Sequence, residues 1–183
     1  SLRRELMVRI NYPHLDVRPI RGNVGTRLRK LDEGEYDALV MASAGLKRLE
    51  LSERIRSIIP AEKSLPSPGQ GALGVEIRKG DKVLEESLAF LNDPHTRACC
   101  TAERAVSRAL GGSCQVPLAA YAVVEGEEMW LRALVGNHHT GECVRAEARG
   151  SWTDPEALAA TVLEDLRRQG AEKILADVLG RQG

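Results

Sequence analysis

Aromatic side chains are scarce in this sequence, which holds two tryptophans, three tyrosines and one phenylalanine among 183 residues. Aliphatic side chains must therefore fill the core, and few rings are available for stacking on nucleic-acid bases. An excess of one charge is also lacking, because the formal net charge is zero, whereas a nucleic-acid-binding protein normally has a strongly basic face. Together these shortages disfavour nucleic acid as a partner.

Long apolar runs are missing as well. No stretch approaches the roughly 20 apolar residues that cross a bilayer, and the opening Ser1 to Arg4 lacks the apolar core of a signal peptide. The sequence begins without methionine, in residues that predict the interior of a helix. We therefore expect a soluble, cytoplasmic protein with no membrane partner, whose own N-terminus lies elsewhere.

Cysteine is infrequent, with residues at positions 99, 100, 114 and 143. Two of these are adjacent, which disfavours a regular disulfide framework and favours a reducing compartment. The CxxC and histidine spacings of a zinc site are missing, so no metal site is expected. His138 and His139 fall in a predicted hairpin turn and are expected to be solvated.

The first ninety residues predict short helices and strands in alternation, as in an α/β fold. An opening helix should end before Tyr12 and Pro13, because a residue that precedes proline is displaced from helical geometry. Three strands are predicted, at 16–20, 37–43 and 72–77. Further helices are predicted from Thr26, as N-cap, to Gly34, and over 44–49, 52–59 and 82–91. Residues 60–71, rich in proline and glycine, predict a connector that crosses between domains.

The last ninety residues predict a separate unit. Asn92-Asp93-Pro94 predicts a break that starts a helix running to about residue 110. Asp154 predicts an N-cap before a proline at the first helical position, so a second helix should start there. Strands are expected over 116–124, 129–135 and 142–149, with polar turns between them. The prediction for this part is a small α+β domain with a three-stranded antiparallel sheet.

The turn from Arg21 to Arg27 is the first candidate binding site. It places free backbone N–H groups at a helix start beside two guanidinium groups, which suits a carboxylate or phosphate. A turn with two glycines is also a common tight connection, so composition alone leaves both interpretations open.

Cys114 is the second candidate. It follows a Gly-Gly-Ser loop at the predicted end of a helix and precedes Gln-Val-Pro, which predicts an accessible sulfur in polar surroundings. Taken by itself, an isolated cysteine is more commonly a packing residue.

Six strings, met in chain order through nearly the whole sequence, resemble the porphobilinogen deaminase family. They are Ser-Leu-Arg-Arg (1–4), Arg-Gly-Asn-Val-Gly-Thr-Arg (21–27), Ala-Gly-Leu-Lys-Arg-Leu (44–49), Gly-Gln-Gly-Ala-Leu-Gly-Val-Glu (69–76), Thr-Ala-Glu-Arg-Ala (101–105) and Gly-Gly-Ser-Cys-Gln-Val-Pro (111–117). The family often has Gly-Gly directly before the cysteine, whereas Ser113 intervenes here. A small hydroxyl residue should leave that cysteine exposed.

The resemblance implies two α/β lobes of the periplasmic-binding-protein kind, followed by the small α+β domain. By this division, residues 1–65 are the C-terminal part of domain 2 and hold an anion and substrate cleft. Residues 66–93 are a crossing and return segment that belongs to domain 1, and residues 94–183 are a C-terminal, cofactor-carrying domain. The chain would then be the C-terminal part of a longer protein.

The implied activity is that of a transferase, hydroxymethylbilane synthase. Such an enzyme condenses four porphobilinogen molecules head to tail, with release of ammonia, to give hydroxymethylbilane in tetrapyrrole (heme) biosynthesis. Its cofactor is a dipyrromethane held by a thioether, here through Cys114. The expected partners are porphobilinogen and the growing polypyrrole, and the protein is expected to be a monomer, with its N-terminal half as intramolecular partner.

Pyrrole rings of this type carry acetate and propionate arms, so the growing chain needs cations at several positions. The resemblance implies Cys114, Ser1, Arg3, Arg4, Arg21 and Gly22 for the cofactor, and Arg27, Arg48 and Gln70 for the substrate. The general acid/base, an aspartate, belongs to the family's N-terminal half and has no matching position here. We therefore expect no catalytic residue in this chain, and no turnover by these residues alone.

Two other functions compete with this interpretation. A non-catalytic, anion-binding module of the solute-binding-protein type would share the α/β lobes and the anion-binding cleft, but would need no reactive cysteine. Nucleic-acid binding through the arginine-rich first third is the other, and it would weaken steeply with salt.

Overall fold

The computed structural model describes residues 1–111 and 116–180. Its only strands within those ranges form one antiparallel sheet in the order β1-β2-β3, with β1 at Leu118–Glu125, β2 at Glu128–Gly136 and β3 at Cys143–Ser151. The register pairs Leu118 with Val135, and Gly136 with Cys143. The predicted three-stranded sheet is confirmed.

Three helices cover one face of this sheet: α5 (Pro94–Ala109), α6 (Pro155–Arg168) and α7 (Ala171–Gly180). The helix starts predicted at Pro94 and Pro155 are confirmed, as is the predicted N-cap Asp154. The side chain of Asp93 accepts a hydrogen bond from Thr96 N at 2.7 Å, and that of Asp154 accepts one from Ala157 N at 3.2 Å. Alternate residues of β2 pack against the helices because side chains of a strand alternate between faces; they are Met129, Leu131, Ala133 and Val135.

The other face of the sheet is covered by helix α1 (Leu2–Asn11) and by the connector. Leu6 and Met7 of α1 pack there with Leu65, Ala119 and Leu134, and all five are almost fully buried. The approach is so close that a Cβ at Gly136 would overlap Leu6 Cδ2. Helix α1 is therefore seated directly on the end of β2.

The remaining elements of the first ninety residues are short. They are α2 (Val24–Asp32), α3 (Ser43–Arg48), a 3₁₀ turn (Ser52–Arg54), α4 (Lys82–Leu88) and a second 3₁₀ turn (Ala89–Leu91). The predicted cap Thr26 is wrong: Asn23 caps α2 and its Oδ1 accepts from Thr26 N at 2.9 Å. The helix expected over 52–59 is also wrong, because only the 3₁₀ turn forms.

The strands predicted at 16–20, 37–43 and 72–77 are wrong in this structure, where residues 16–20, 37–42 and 72–77 run without regular secondary structure and Ser43 begins α3. A strand requires a neighbouring backbone to pair its N–H and C=O groups. None of these three segments takes part in a strand pairing within the described residues. The α/β sheet expected for the first part of the chain is consequently absent from the described residues.

His138 also departs from the prediction of a solvated turn. Only 8% of its surface is exposed to solvent, and its Nδ1 has no hydrogen-bond partner among the described residues. Burial is the main cause that lowers its pKa, with a further lowering from His139. Among the described helices, none combines the length and the apolar character needed to span a bilayer.

Candidate anion-binding cleft

A cleft of about 580 Å³ lies where α1, the connector, α5 and the start of β1 meet. The start of α1 contributes Ser1 to Arg4, and the connector contributes Ser67, Pro68 and Gln70. Helix α5 contributes Arg104 and Ser107, and the chain that leads into β1 contributes Val116 and Leu118. The structure thus brings together four predicted site residues: Ser1, Arg3, Arg4 and Gln70.

The local sequence explains why Arg3 and Arg4 both line this cleft. Ser1 caps α1, and its Oγ accepts a hydrogen bond from Arg4 N at 3.4 Å. Arg3 and Arg4 therefore fall in the first helical turn, where the unpaired N–H groups and the helix dipole already favour an anion. Arg3 is 8% exposed, and its Nη1 donates to Leu65 O.

The guanidinium groups in the cleft lack an internal counter-charge. Within residues 1–111 and 116–180, no carboxylate forms an ion pair with Arg3, Arg4 or Arg104. Burial, and then repulsion by Arg4, lowers the pKa of Arg3 to about 10. Burial, and then repulsion by Arg27, lowers the pKa of Arg4. Both remain cationic at neutral pH, so a bound anion would relieve an existing repulsion.

Arg27 extends this cationic region through the glycine turn. Its Nε donates to Gly22 O at 2.8 Å, which ties the side chain back to the turn that precedes α2. Gly22 has a φ of +119°, and a Cβ there would lie 2.8 Å from Thr26 Cγ2. Only glycine fits this position without strain, so the turn that holds Arg27 depends on it.

The structure does not bring every predicted residue to the cleft. Four predicted residues do not line the cleft: Arg21, Gly22, Arg27 and Arg48, all of them exposed except Arg27. Cys114 lies outside the described residues. The described chain resumes two positions later, at Val116, which does line the cleft.

Sequence reasoning missed Arg104 and its neighbour Glu103. Glu103 is 5% exposed; its Oε2 accepts from Gly69 N at 2.7 Å and its Oε1 from Ala122 N at 2.8 Å. This carboxylate therefore ties the turn that holds Gln70 to α5 and to the free edge of β1. A signal was present, because Glu103 sits beside the buried positions Ala102 and Val106 of an otherwise apolar helix face.

Replacement of Glu103 by Gln should change how stability depends on pH. Burial raises the pKa of Glu103, although the two backbone N–H donors oppose this. A carboxyl group whose folded pKa is raised stabilises the fold most below its ordinary value near 4.5 and loses that contribution as the pH rises through the folded value. The wild type should therefore lose stability relative to Glu103→Gln as the pH rises above about 4.5, measured by urea unfolding at several pH values.

The matched control for that measurement is Glu127→Gln, which alters an exposed carboxylate in the β1–β2 turn. The stability difference between the wild type and Glu127→Gln should stay constant over the same pH range. An advantage of the wild type over Glu103→Gln that grows with pH would show that the N–H donors outweigh burial.

The fold and the cleft define a class: an α+β domain joined to a helix whose clustered arginines have no carboxylate partner among the described residues. Comparison with known proteins narrows this class. Residues 1–86 match the family model described as porphobilinogen deaminase, dipyromethane cofactor binding domain. Residues 97–168 match the model described as porphobilinogen deaminase, C-terminal domain.

Curated proteins named porphobilinogen deaminase match the whole chain. The protein of Bordetella parapertussis is 54% identical over 179 residues, which are 98% of this chain and 57% of that protein. The proteins of Thiobacillus denitrificans and Neisseria meningitidis serogroup A are 51% and 50% identical, over 96% and 100% of this chain and 57% and 58% of their own lengths. The chain belongs to the porphobilinogen deaminase family, and it spans a little over half the length of these relatives.

Proposed function

We propose that this chain is the anion-binding and cofactor-carrying part of a hydroxymethylbilane synthase, a transferase that joins four porphobilinogen molecules head to tail with release of ammonia. One observation carries the proposal. Val116, two positions after Cys114 in the sequence, lines the same cleft as Arg3 and Arg4. This neighbour of Cys114 supports the proposal that the attachment residue and the cations for the carboxylate arms serve one site.

The described residues fit a dipyrromethane. A cleft of about 580 Å³ lies within the range of roughly 300–1,000 Å³ that small-molecule sites occupy. Its cationic side chains, Arg3, Arg4 and Arg104, have no carboxylate partner of their own among the described residues, so acetate and propionate groups would supply the missing acceptors. Gln70 is held by the Ser67 hydroxyl, which donates to its Oε1 at 3.2 Å, and presents an amide to the same space.

When bound, the dipyrromethane supplies the primer to which pyrrole units are added. The role proposed for Cys114 is to hold it through a thioether: a bond from the sulfur to a pyrrole methylene carbon would replace that carbon's bond to its amino group, and the amino group would leave as ammonia with the thiol proton. A thioether suits this task because a soft sulfur nucleophile captures an electrophilic carbon. The arginines then orient each incoming ring through its carboxylates, so that its aminomethyl group reaches the end of the chain.

In each condensation a carbon–carbon bond forms between the free ring carbon of one pyrrole and the aminomethyl carbon of the next. The carbon–nitrogen bond of that aminomethyl group breaks, ammonia leaves, and the attacking ring carbon loses its proton. The proton-transfer group is proposed to lie in the part of the protein that corresponds to the N-terminal half of the family. The residues proposed here bind and orient; they do not transfer this proton.

The remaining predicted residues are proposed to hold later units of the growing chain. Arg27 is the best supported, because its charge already lowers the pKa of Arg4 and it therefore belongs to the same cationic region. Gly22 supports it by shaping the turn. Arg21 and Arg48 are proposed on the family resemblance alone.

The division into residues 1–65, 66–93 and 94–183 is likewise proposed, with the first two parts as portions of two periplasmic-binding-protein-like lobes. Segment 66–93 supports this division, because it exposes an unusual amount of apolar surface. Leu73 is 78% exposed, Val83 74% and Phe90 81%. Such side chains indicate an interface with a further part of the protein, such as an N-terminal half. We also propose that the whole enzyme is cytoplasmic and monomeric.

A chimera tests the function. Residues 1–183 would replace the matching part of the Bordetella parapertussis relative, with which they share 54% identity. We expect the purified chimera to release ammonia from porphobilinogen and to form a linear tetrapyrrole, at a rate within about tenfold of the unaltered relative assayed beside it. A chimera that is folded by circular dichroism and binds porphobilinogen without ammonia release would instead favour the non-catalytic anion-binding module.

A further inference from the structure

A second cavity, of about 360 Å³, lies at strands β2 and β3 beside the connector. Its charged and aromatic lining consists of Glu62, Trp130, Arg132, Arg145, Glu147 and Asp165. None of these residues lines the arginine cleft. The volume lies at the lower end of the range for small-molecule sites.

Arg132 is the fixed element of this cavity. Its side chain is 9% exposed, and its guanidinium carbon lies 3.9 Å from the ring centroid of Trp130 and 5.2 Å from that of Tyr121. Its Nε is buried without a hydrogen-bond partner among the described residues. Stacking on the two rings therefore holds a buried cation whose hydrogen-bonding capacity is incompletely used.

Glu62 is the one ionic partner that the described residues give to Arg132, and it is only loosely held. Arg132 Nη1 donates to Glu62 Oε1 at 2.8 Å, yet the Glu62 side chain is 65% exposed and stands on the irregular connector. Water screens such a carboxylate, which limits what the pair contributes. A carboxylate seated inside the cavity could take its place, while Glu62 turned into solvent at little cost.

The charges that remain define the ligand. Without Glu62, the cavity presents two guanidinium groups, Arg132 and Arg145, and two carboxylates, Glu147 and Asp165. A simple anion would meet the two carboxylates, and a simple cation would meet the two arginines. A molecule with one charge of each sign satisfies both pairs.

The apolar part of the lining, Leu65 and the ring of Trp130, suits a short hydrocarbon body. We propose that this cavity binds a small zwitterion with one carboxylate, one ammonium group and an apolar body, which is the chemistry of a free apolar α-amino acid. The carboxylate pairs with Arg132 and Arg145 in place of Glu62, and the ammonium group faces Glu147 and Asp165. This site does not depend on the function proposed for the arginine cleft.

Three matched probes test the proposal by calorimetry on the 183-residue chain. L-leucine carries both charges, 4-methylpentanoate is the same molecule without the ammonium group, and 3-methylbutylamine is the same molecule without the carboxylate. We expect leucine to bind at least about tenfold more tightly than either analogue, because each analogue leaves one pair of charged side chains unmatched. Equal affinity for leucine and 4-methylpentanoate would overturn the proposal in favour of a plain anion site.

Variants at exposed positions keep the test independent of folding. Arg145→Gln should weaken leucine binding several-fold, whereas Glu62→Gln should strengthen it, because the competing carboxylate is gone. Arg168→Gln is the control: this arginine is 69% exposed on α6 and lines neither cavity, so affinity should not change. Leucine affinity that is unchanged in both Arg145→Gln and Glu62→Gln, or an absence of leucine binding to the wild type, would refute the site.

Discussion

Replacement of Cys114 by Ala in the chimera should remove a covalent adduct of two pyrrole units and abolish ammonia release. The physical reason is that no other side chain in the proposed site offers a soft nucleophile, and a hydroxyl or guanidinium group does not form the corresponding thioether. The effect should be all-or-none, because a chain that lacks its attachment point has nothing to extend. Intact mass of the purified protein measures it directly, and the colour reaction of the cofactor with an acidic aldehyde reagent provides a second readout.

The other cysteines supply matched controls. Cys143 is partly buried against the packing of α1 on the sheet, and burial raises the pKa of Cys99 to about 11, so that thiol resists ionisation. Cys143→Ala and Cys99→Ala should keep the adduct. An adduct that persists in Cys114→Ala, or disappears in Cys143→Ala, would place the attachment elsewhere.

Arg4→Gln in the chimera should lower kcat/KM for porphobilinogen by about 100-fold. A bidentate pairing with a carboxylate comprises two charge-assisted hydrogen bonds worth roughly 1.5–3 kcal/mol each, part of which glutamine recovers. Arg4 is the better probe of the pair, because its one backbone contact, from Nη1 to Val40 O, is long at 3.5 Å and exposed, whereas Arg3 is buried and holds the connector through Leu65 O. Ammonia release at varied porphobilinogen concentration measures the effect.

Stability separates this binding role from a structural one. Arg4 is partly buried and repelled by Arg27, which together lower its pKa, so Arg4→Gln should leave the melting temperature unchanged or raise it. Arg9→Gln is the control on the same helix, because Arg9 is exposed and pairs with Glu5 at 3.0 Å. Comparable losses of activity in both variants would remove Arg4 from the site.

The C-terminal half of the fold was predictable because its helix starts and strand pairings depend on residues that are close together in the sequence. The Asp-Pro pairs at 93–94 and 154–155 mark helix starts by themselves, and each strand of the sheet pairs with its neighbour along the chain. Short polar turns join these neighbours, so pairing needs no distant partner. The predicted bounds of all three strands consequently lie within a few residues of those observed.

The first ninety residues were less predictable because their extended segments depend on partners distant in sequence. Residues 37–43 have the apolar composition of a strand that is buried on both faces of a sheet, but composition alone does not supply the partner strand with which it would pair. The same limit applies to the cleft. The family resemblance singled out Ser1, Arg3, Arg4 and Gln70, yet that Gln70 lies beside the start of α1 follows only from the fold. Glu103 was missed because its role depends on Gly69 and Ala122, backbone groups far from it in sequence.

Helix α1 has a mechanical consequence. Its first turn carries Arg3 and Arg4, while Leu6 and Met7 are locked on the sheet with no room for a methyl group at Gly136. The two arginines and the three strands therefore behave as one rigid wall of the cleft. Under the proposed function, a lengthening product would extend away from this wall, and the cation outside it that acts on Arg4 is Arg27, on the short and mostly half-buried helix α2. Successive rings of the product would then move past arginines whose own positions stay fixed.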